Sequence, residues 1–257
     1  AQAHGSRHFT LGVASGDPRA RSVMLWTRAI DDADPEAQVT LRLEVATDDS
    51  FAKPIVSRML EAGADSDHTV RVLVEDLDPD TIYFYRFVAG DLESRAGRTW
   101  TAPEIDADVP VHFAWASCQD YCGGFYGAYR RMILDDQAAT DDERLRFVLH
   151  VGDFIYETRD EGFQMALDEN LEPVMLVDAD GNPRVVPPFP SGGGKGSDGG
   201  TYANTVDDYR HLYRTFLSDP DLQDARARWP FVCIWDDHEM SDDCWQTQAN
   251  YTREDGS

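Results

Sequence analysis

A chain of 257 residues, 42% hydrophobic and 11% aromatic, has enough apolar matter for one large core or two ordinary ones without covalent staples. No apolar run approaches the roughly 18 residues of a membrane-spanning helix, so the expected class is a soluble, folded protein with no membrane span. With 23 Lys and Arg against 48 Asp and Glu, the net charge of -25 repels nucleic acid and anionic membranes and excludes nucleic acid as a stable partner. Such acidity fits a solvated surface or, more sharply, acids clustered to serve metal ions.

The opening residues, AQAHGSRHF, have neither the charged nor the apolar segment of a signal peptide, and their small residues are compatible with a stump left by processing. From Phe9 to about Thr101 the pattern is β. Val39, Leu41, Leu43 and Val45 alternate with Thr40, Arg42 and Glu44, the period of a half-buried strand, and Val70, Val72 and Val74 repeat it. A Pro-Asp turn then leads into Tyr83, Tyr85 and Phe87, and the spacing of Leu77, Pro79, Thr81 and Tyr83 looks like the corner of a fibronectin-type sandwich. We therefore expect an all-β, fibronectin- or immunoglobulin-like sandwich over residues 1–104, closed by the polar, proline-bracketed linker TAPEIDADVP.

Over residues 105–257 the rhythm changes. VHFAWASC reads as a strand, with Phe125, Tyr129, Met132 and Ile133 following at helical spacing. RFVLHVGD is an apolar strand ending in Gly152 and Asp153. The insert from about Thr158 to Thr201 holds DADGNP, better read as a turn than as a calcium loop, and SGGGKGSDGG, which lacks the Lys-Ser/Thr ending of a phosphate loop. A mobile surface loop is expected there. Then Val206, Tyr209, Tyr213 and Phe216 mark a helix that Thr205 and Asp208 open as a capping box. FVCIW is the last apolar run, expected to be buried on both faces. Strands alternating with helices imply a mainly parallel sheet with right-handed crossovers.

Three strands thus end in polar clusters: Ser117, Cys118 and Gln119; Gly152 and Asp153 with Tyr156 and Glu157; and Asp236, Asp237 and His238. In open α/β sheets ligands bind outside the carboxyl ends of the strands, so these clusters are expected to converge. Asp153 can bridge two cations. Cys118 as thiolate and Tyr156 as phenolate suit a trivalent or transition ion, and Asp237 a harder one, and such a cation pair would activate a water molecule. Each residue also has a plain structural reading: Cys118 as a small buried hydrophobe, Asp153 as a helix cap, Tyr156 as core, His150 as a satisfied core histidine, Asp236 and Glu239 as orienting groups or caps.

FTLGVASGDPRARSVMLWTRA, ASCQDYCGGFYGAY, LHVGDFIYE, YRHLYRTFLSDPDLQ and WDDHE follow one another in the order expected of PhoD-like alkaline phosphatases. On these motifs nearly the whole chain resembles that family, which is related to the purple acid phosphatase metallophosphoesterases. The resemblance implies a sandwich followed by a four-layer α/β metallophosphoesterase domain, secretion or a periplasmic location, and an iron–calcium site. There a metal-bound hydroxide would hydrolyse phosphate mono- and diesters, the phosphate ester being the partner. It implies that Cys118 binds the iron, Asp153 bridges the metals and Tyr156 gives iron a phenolate. Asp237 falls where the wider superfamily's Gly-Asn-His-Glu motif has its metal-binding Asn; Asp236 is its rival, and Asp237 is favoured because it immediately precedes the histidine. His238 takes the place of the residue that stabilises the transition state.

Such enzymes complete the site with a further Asp and a His-x-His, which this sequence does not supply. His4, His8, His68, His112, His150 and His211 stand in other contexts. The expectation is the amino-terminal part of a longer enzyme, with the remaining carboxy-terminal half as a partner, as a separate chain in one version. The rival reading is a catalytically inactive fragment acting as a folded scaffold or binding module; a third is a carbohydrate-binding sandwich joined to an unrelated α/β domain. Among Cys118, Cys122, Cys233 and Cys244 no zinc spacing occurs, and disulfide pairing is left open, Cys122 with Cys244 being one candidate once Cys118 is assigned to metal and Cys233 to a strand.

Overall fold

The computed structural model describes residues 8–159, 164–196 and 200–245. The opening segment with His4, part of the insert and of its Gly/Ser run, and the polar tail QANYTREDGS lie outside these. In chain order the elements are β1 (Val13–Arg19), β2 (Ser22–Arg28), β3 (Val39–Ala46), β4 (Val56–Ala62), β5 (Thr69–Val74), β6 (Ile82–Ala89), β7 (Leu92–Glu93) and β8 (Gly97–Trp100), then β9 (Phe113–Ala116), α1 (Gly127–Ala138) and β10 (Phe147–His150). The insert adds β11 (Thr158–Arg159), β12 (Ala166–Leu167), β13 (Pro173–Val174), β14 (Gly194–Lys195) and β15 (Thr201–Tyr202); α2 (Val206–Phe216), α3 (Pro220–Arg228) and β16 (Phe231–Cys233) follow. Two compact units result, one of residues 1–114, 128–149 and 220–232, the other of residues 115–127, 150–219 and 233–257.

In the first unit, β1, β2 and β5 form one antiparallel sheet, while β4, β3, β6 and β7, with β8 also on β6, form another. Leu25 pairs with Val72 in the first sheet and Val45 with Tyr85 in the second. Val23, Leu25, Val70 and Val72 share one core cluster with Leu41, Leu43, Tyr85 and Phe87, so the alternation in sequence becomes a two-sheet sandwich. Each such side chain contributes about 1.5–3 kcal/mol by leaving water. Glu44 departs from the alternation: expected on the polar face, it is buried and salt-bridged to Arg42 and Arg86. Burial opposes its charge, but the two guanidinium groups outweigh that and hold its carboxyl below the usual range. The corner closes as the Leu-Pro-Thr-Tyr spacing predicts, the backbone N–H of Asp78 donating to the Tyr83 hydroxyl at 2.9 Å.

Two helices complete this unit. α3 packs on β1 and β8 and adds Ala227 to the sandwich core, and its Arg228 pairs with the buried Asp136 of α1. Tyr129 and Ile133 of α1 are buried as their spacing suggests, whereas Phe125 precedes the helix and is exposed.

β9, β10 and β16 lie in the order β16-β10-β9. Val148 N–H donates to Pro230 O, and Ile234 N–H to His150 O; Arg146 N–H donates to His112 O, and Val151 N–H to Ala116 O. Each series climbs both strands in the same direction, the mark of the expected parallel pairing. Burial on both faces is not met. β16 stops at Cys233, and Ile234 and Trp235 beyond it are 60% and 75% exposed, as is Trp115 of β9 at 70%. The cause is position: both are edge strands of a three-stranded sheet, and an edge strand is dry only where a further strand or layer covers it.

The second unit has its own core of Ile155, Tyr156, Val186, Phe189, Leu212 and Phe216. α2 begins with the predicted capping box: Thr205 accepts from the Asp208 N–H while Asp208 reaches back to the Thr205 N–H. Its buried face is Asp208, Leu212 and Phe216, with Val206 exposed, so the helix is turned relative to the face read from Val206 and Tyr213. The capping carboxylate itself is the reason, because it also accepts from the Ser191 N–H and hydroxyl and is drawn inward.

The insert, expected as a mobile loop, is built where described from short hairpins: β12 with β13, and β15 with β11 and β14. Gly193 takes a φ of +71° with Thr201, Phe189 and Tyr202 so close that a Cβ would lie under 3 Å from each, a position only glycine fills. The DADGNP segment is the expected turn, Asp178 accepting from the amides of Asp180 and Asn182. The candidate pair Cys122 and Cys244 does not form a disulfide, nor do any two of the four cysteines, all of which lie among the described residues. Among the described residues, no helix is long and apolar enough to cross a membrane.

Candidate functional site

The three polar clusters meet at the carboxyl ends of β9, β10 and β16. The loops after β9 and β10 zip together: Cys118 N–H donates to Gly152 O at 3.2 Å and Gln119 N–H to Asp153 O at 3.1 Å. This closeness forces unusual backbone. Cys118 and Asp153 sit at φ values of +55° and +52°, and Gly152 at +105°. A Cβ on Gly152 would stand 2.4 Å from the Cβ of Asp236, so the glycine lets the loop after β16 come against the loop after β10.

Asp153, Asp237 and His238 offer ligand atoms that all lie within 4.8 Å of one another. Asp236 is not a member of that group, although it adjoins Gly152. The Tyr156 hydroxyl donates to Asp153 Oδ2 at 3.5 Å and its ring lies 4.4 Å from that of His238, and Cys118 is close enough to both for its side chain to act on their acidities. The residues named from sequence are therefore brought together: Asp153, Asp237 and His238 as one group of ligand atoms, Tyr156 against both Asp153 and His238, and Cys118 on the loop tied by its backbone to Gly152. Tyr156 is at once a site residue and a member of the core cluster. Asp153 caps no helix.

Electrostatics mark the centre of the cluster. Burial pushes the Asp153 carboxyl up, and the negative charges of Asp237 and Asp236 add to it against the opposing influence of the Cys118 side chain and the His238 charge. Its Oδ1 is buried with no hydrogen-bond partner among the described residues. Burial likewise raises the Tyr156 phenol, helped by Asp153 and Cys118. Both groups are held away from their ionised forms by their protein neighbours alone, and a cation between them would invert that balance. A buried carboxylate oxygen in want of a partner, beside a thiol, a phenol and a second carboxylate, is a donor set that iron and calcium fit.

Two glutamates hold the arrangement. Glu239 accepts from the amides of Asp153 at 3.1 Å, Phe154, and Asp236 at 2.7 Å, tying the last loop to the middle one; this is the orienting role read for it in the sequence. Glu157 was placed in its cluster without a role. It is fully buried, with one oxygen 2.8 Å from His238 Nδ1 and the other accepting from the Asp242 N–H. Burial works against the imidazolium, but Glu157, Asp153 and Asp237 outweigh it and raise the His238 pKa. Asp237 is resisted by burial too, yet the Asp243 amide and the His238 charge hold its carboxyl below the usual range. No spacing rule predicts the pairing of Glu157 with His238, 81 positions apart; only the adjacency of Glu157 to Tyr156 hinted at it. His150 corrects the reading of a satisfied core histidine. It is fully buried, burial lowers its pKa to about 4, and neither ring nitrogen has a hydrogen-bond partner among the described residues.

Known proteins place this geometry. Residues 1–103 match the PhoD-like phosphatase N-terminal domain, and residues 113–257 match the PhoD-like phosphatase domain. The chain belongs to the PhoD-like phosphatase family. It is 36% identical over 238 residues to alkaline phosphatase D of Bacillus subtilis (strain 168), covering 90% of this chain and 35% of that protein. A solved structure of PhoD superposes with a TM-score of 0.73 at 34% identity, covering 97% of this chain and 44% of that one. The chain thus spans about a third of the curated relative that it matches.

Proposed function

We propose that this chain supplies the amino-terminal share of a metal-dependent phosphoesterase acting on phosphate mono- and diesters. In this reading Cys118 and Tyr156 would hold iron, Asp153 would serve both iron and calcium, Asp237 would bind metal, and His238 would face the ester. The observation that carries it is Asp153: a buried carboxyl with one partnerless oxygen among the described residues, beside further donors at the ends of parallel strands. Bound iron and calcium supply Lewis acidity, offsetting the carboxylates and the phosphoryl oxygens and lowering the pKa of a water molecule.

The protein's own groups do the rest. Hydrolysis forms a P–O bond to a water oxygen, breaks the P–O bond to the alcohol and leaves that alcohol in need of a proton. Glu157 anchors Nδ1 of His238 and favours the imidazolium, Nε2 lies 3.6 Å from Asp242 Oδ1, and the charged ring so held offsets charge on the phosphoryl oxygens or gives the alcohol its proton. Gly152 and Glu239 fix the distance between the Asp153 and Asp237 loops, on which the spacing of the donors depends.

The four-layer architecture, a secreted or periplasmic location and completion of the site by the rest of a longer enzyme, in the same or a separate chain, belong to this proposal. Its support is the share of the relatives that is matched and the exposed apolar side chains of Trp115, Ile234 and Trp235. Those side chains also favour the second reading, a folded scaffold with no activity of its own. Elemental analysis with phosphoesterase assay decides. In the full-length enzyme, iron and calcium are expected near stoichiometry, and Asp153→Asn is expected to lose metal and at least about a hundredfold in activity. Full activity in that variant defeats the proposal. Activity from the 257-residue chain alone defeats the scaffold reading.

A further inference from the structure

Asp153 and Phe154 are gripped on both sides of their backbone. Their N–H groups donate to the two carboxylate oxygens of Glu239, at 3.1 Å for Asp153. Their carbonyls turn the other way, toward Gln119: its backbone N–H donates to Asp153 O at 3.1 Å, and its side-chain Nε2 donates to Phe154 O at 3.0 Å. The residue types follow from this division. A carboxylate is an acceptor and suits amides, whereas a carboxamide carries an NH2 that can meet a carbonyl.

The neighbour of Gln119 in the chain needs such support. Beyond the bond from Val151 N–H to Ala116 O, Cys118 stands at a φ of +55° and Asp153 at +52°, conformations that such residues keep only where their surroundings impose them. Cys118 N–H donates to Gly152 O at 3.2 Å, so with the two bonds from Gln119 the consecutive carbonyls of Gly152, Asp153 and Phe154 all accept from the loop after β9. The Gln119 side chain thus carries the zip between the loops one step further than its backbone does. Gln119 is fixed in its turn: it is 7% exposed, and its carbonyl accepts from the Tyr126 hydroxyl at 3.0 Å.

We infer that Gln119 is a positioning residue for the iron side of the site: it sets the separation of Cys118 from Asp153 and Tyr156, as Glu239 sets that of the Asp237 loop from Asp153. The inference rests on the reading that Cys118 and Tyr156 hold iron. Gln119 itself binds neither metal nor ester, because its NH2 is committed to a backbone carbonyl, and it acts through Cys118.

The test uses the full-length enzyme loaded with ferric iron and calcium. Gln119→Met keeps the length of the side chain and removes its donor. It is expected to release iron to a chelator at least about tenfold faster than the parent and to shift the visible absorption of phenolate-bound iron, with calcium affinity within about twofold of the parent. Gln119→Glu, whose carboxylate cannot donate to Phe154 O, is expected to lose iron as Gln119→Met does. Tyr126→Phe removes one hydroxyl and keeps the ring; it is expected to give a smaller shift in the same direction, which keeps the inference testable should a change at 119 prevent folding. A parent without iron, or with iron and no phenolate absorption, defeats the reading of the site and the inference with it. A parent with both, beside variants at 119 and 126 that match its iron release and absorption, overturns the inference alone. So does loss of calcium in step with iron, or retention of iron by Gln119→Glu, which would make that side chain a ligand.

Discussion

The sandwich and the site region are built on opposite terms. In the sandwich, strand register follows apolar alternation, the facing residues satisfy one another by packing, and the one intruding acid, Glu44, is matched by two arginines. In the site region, strands stop early, and the loops beyond them are held by Glu239 and Glu157, whose carboxylates accept from the backbone amides of other loop residues. The difference teaches where each region draws its order. The first is held by the burial of many interchangeable side chains, and the second by a few acids that accept from backbone amides and have no substitutes.

The contrast can be broken first at the sandwich core. Leu43 is fully buried, so Leu43→Ala is expected to cost about 2–5 kcal/mol in urea unfolding while metal content per folded molecule stays unchanged. A loss of metal in that variant would show that the two regions are not energetically distinct. Next comes Glu239→Gln, which removes the carboxylate shared by three amides. A loss of about 1–3 kcal/mol is expected, concentrated in faster hydrogen exchange at Asp153, Phe154 and Asp236, with the amides of β3 and β6 as protected as before.

A smaller effect belongs to Asp208. Burial alone would raise its pKa, but hydrogen bonds from Ser191, Asn204 and Thr205 outweigh it and push the value down to about 2. A carboxyl depressed in the folded state gives stability that is complete above the unfolded value near 4 and is lost as pH falls towards 2, here about 2 kcal/mol. Chemical denaturation between pH 5 and 2 is expected to show that slope, and Asp208→Asn to flatten it. The smallest effect is expected at Arg131, whose ion pair with Asp135 on α1 is exposed on both sides. Arg131→Ala should stay within about 0.5 kcal/mol of the parent, and a larger change would mean that surface pairs matter more here than packing.

These regions also differed in how much of them the sequence disclosed. Val70, Val72 and Val74 report their face because strand period and burial coincide, and the Tyr83 corner was legible because its spacing is local. The capping box of Thr205 and Asp208 was equally plain, yet the buried face of α2 was not, since the cap's carboxylate is recruited by Ser191, 17 positions away. The short hairpins of the insert were not legible because their strands are two residues long, too short for any period to show, and they are set by turns and by packing around Val186 and Phe189. At the site, the convergence of Cys118, Asp153, Tyr156, Asp237 and His238 could be read from strand ends. The hold of Glu157 on His238 could not, because it exists only once the loops have closed.

Glu239 has a consequence for anyone who would move this donor set to another scaffold. A single carboxylate joins two stretches of chain 86 positions apart at the backbone, so the ligands inherit their spacing from a group that touches none of the chemistry. A graft that copies the five donors and leaves out that clasp, or the bare glycine at 152 that makes room for it, would reproduce the inventory of the site and lose its dimensions.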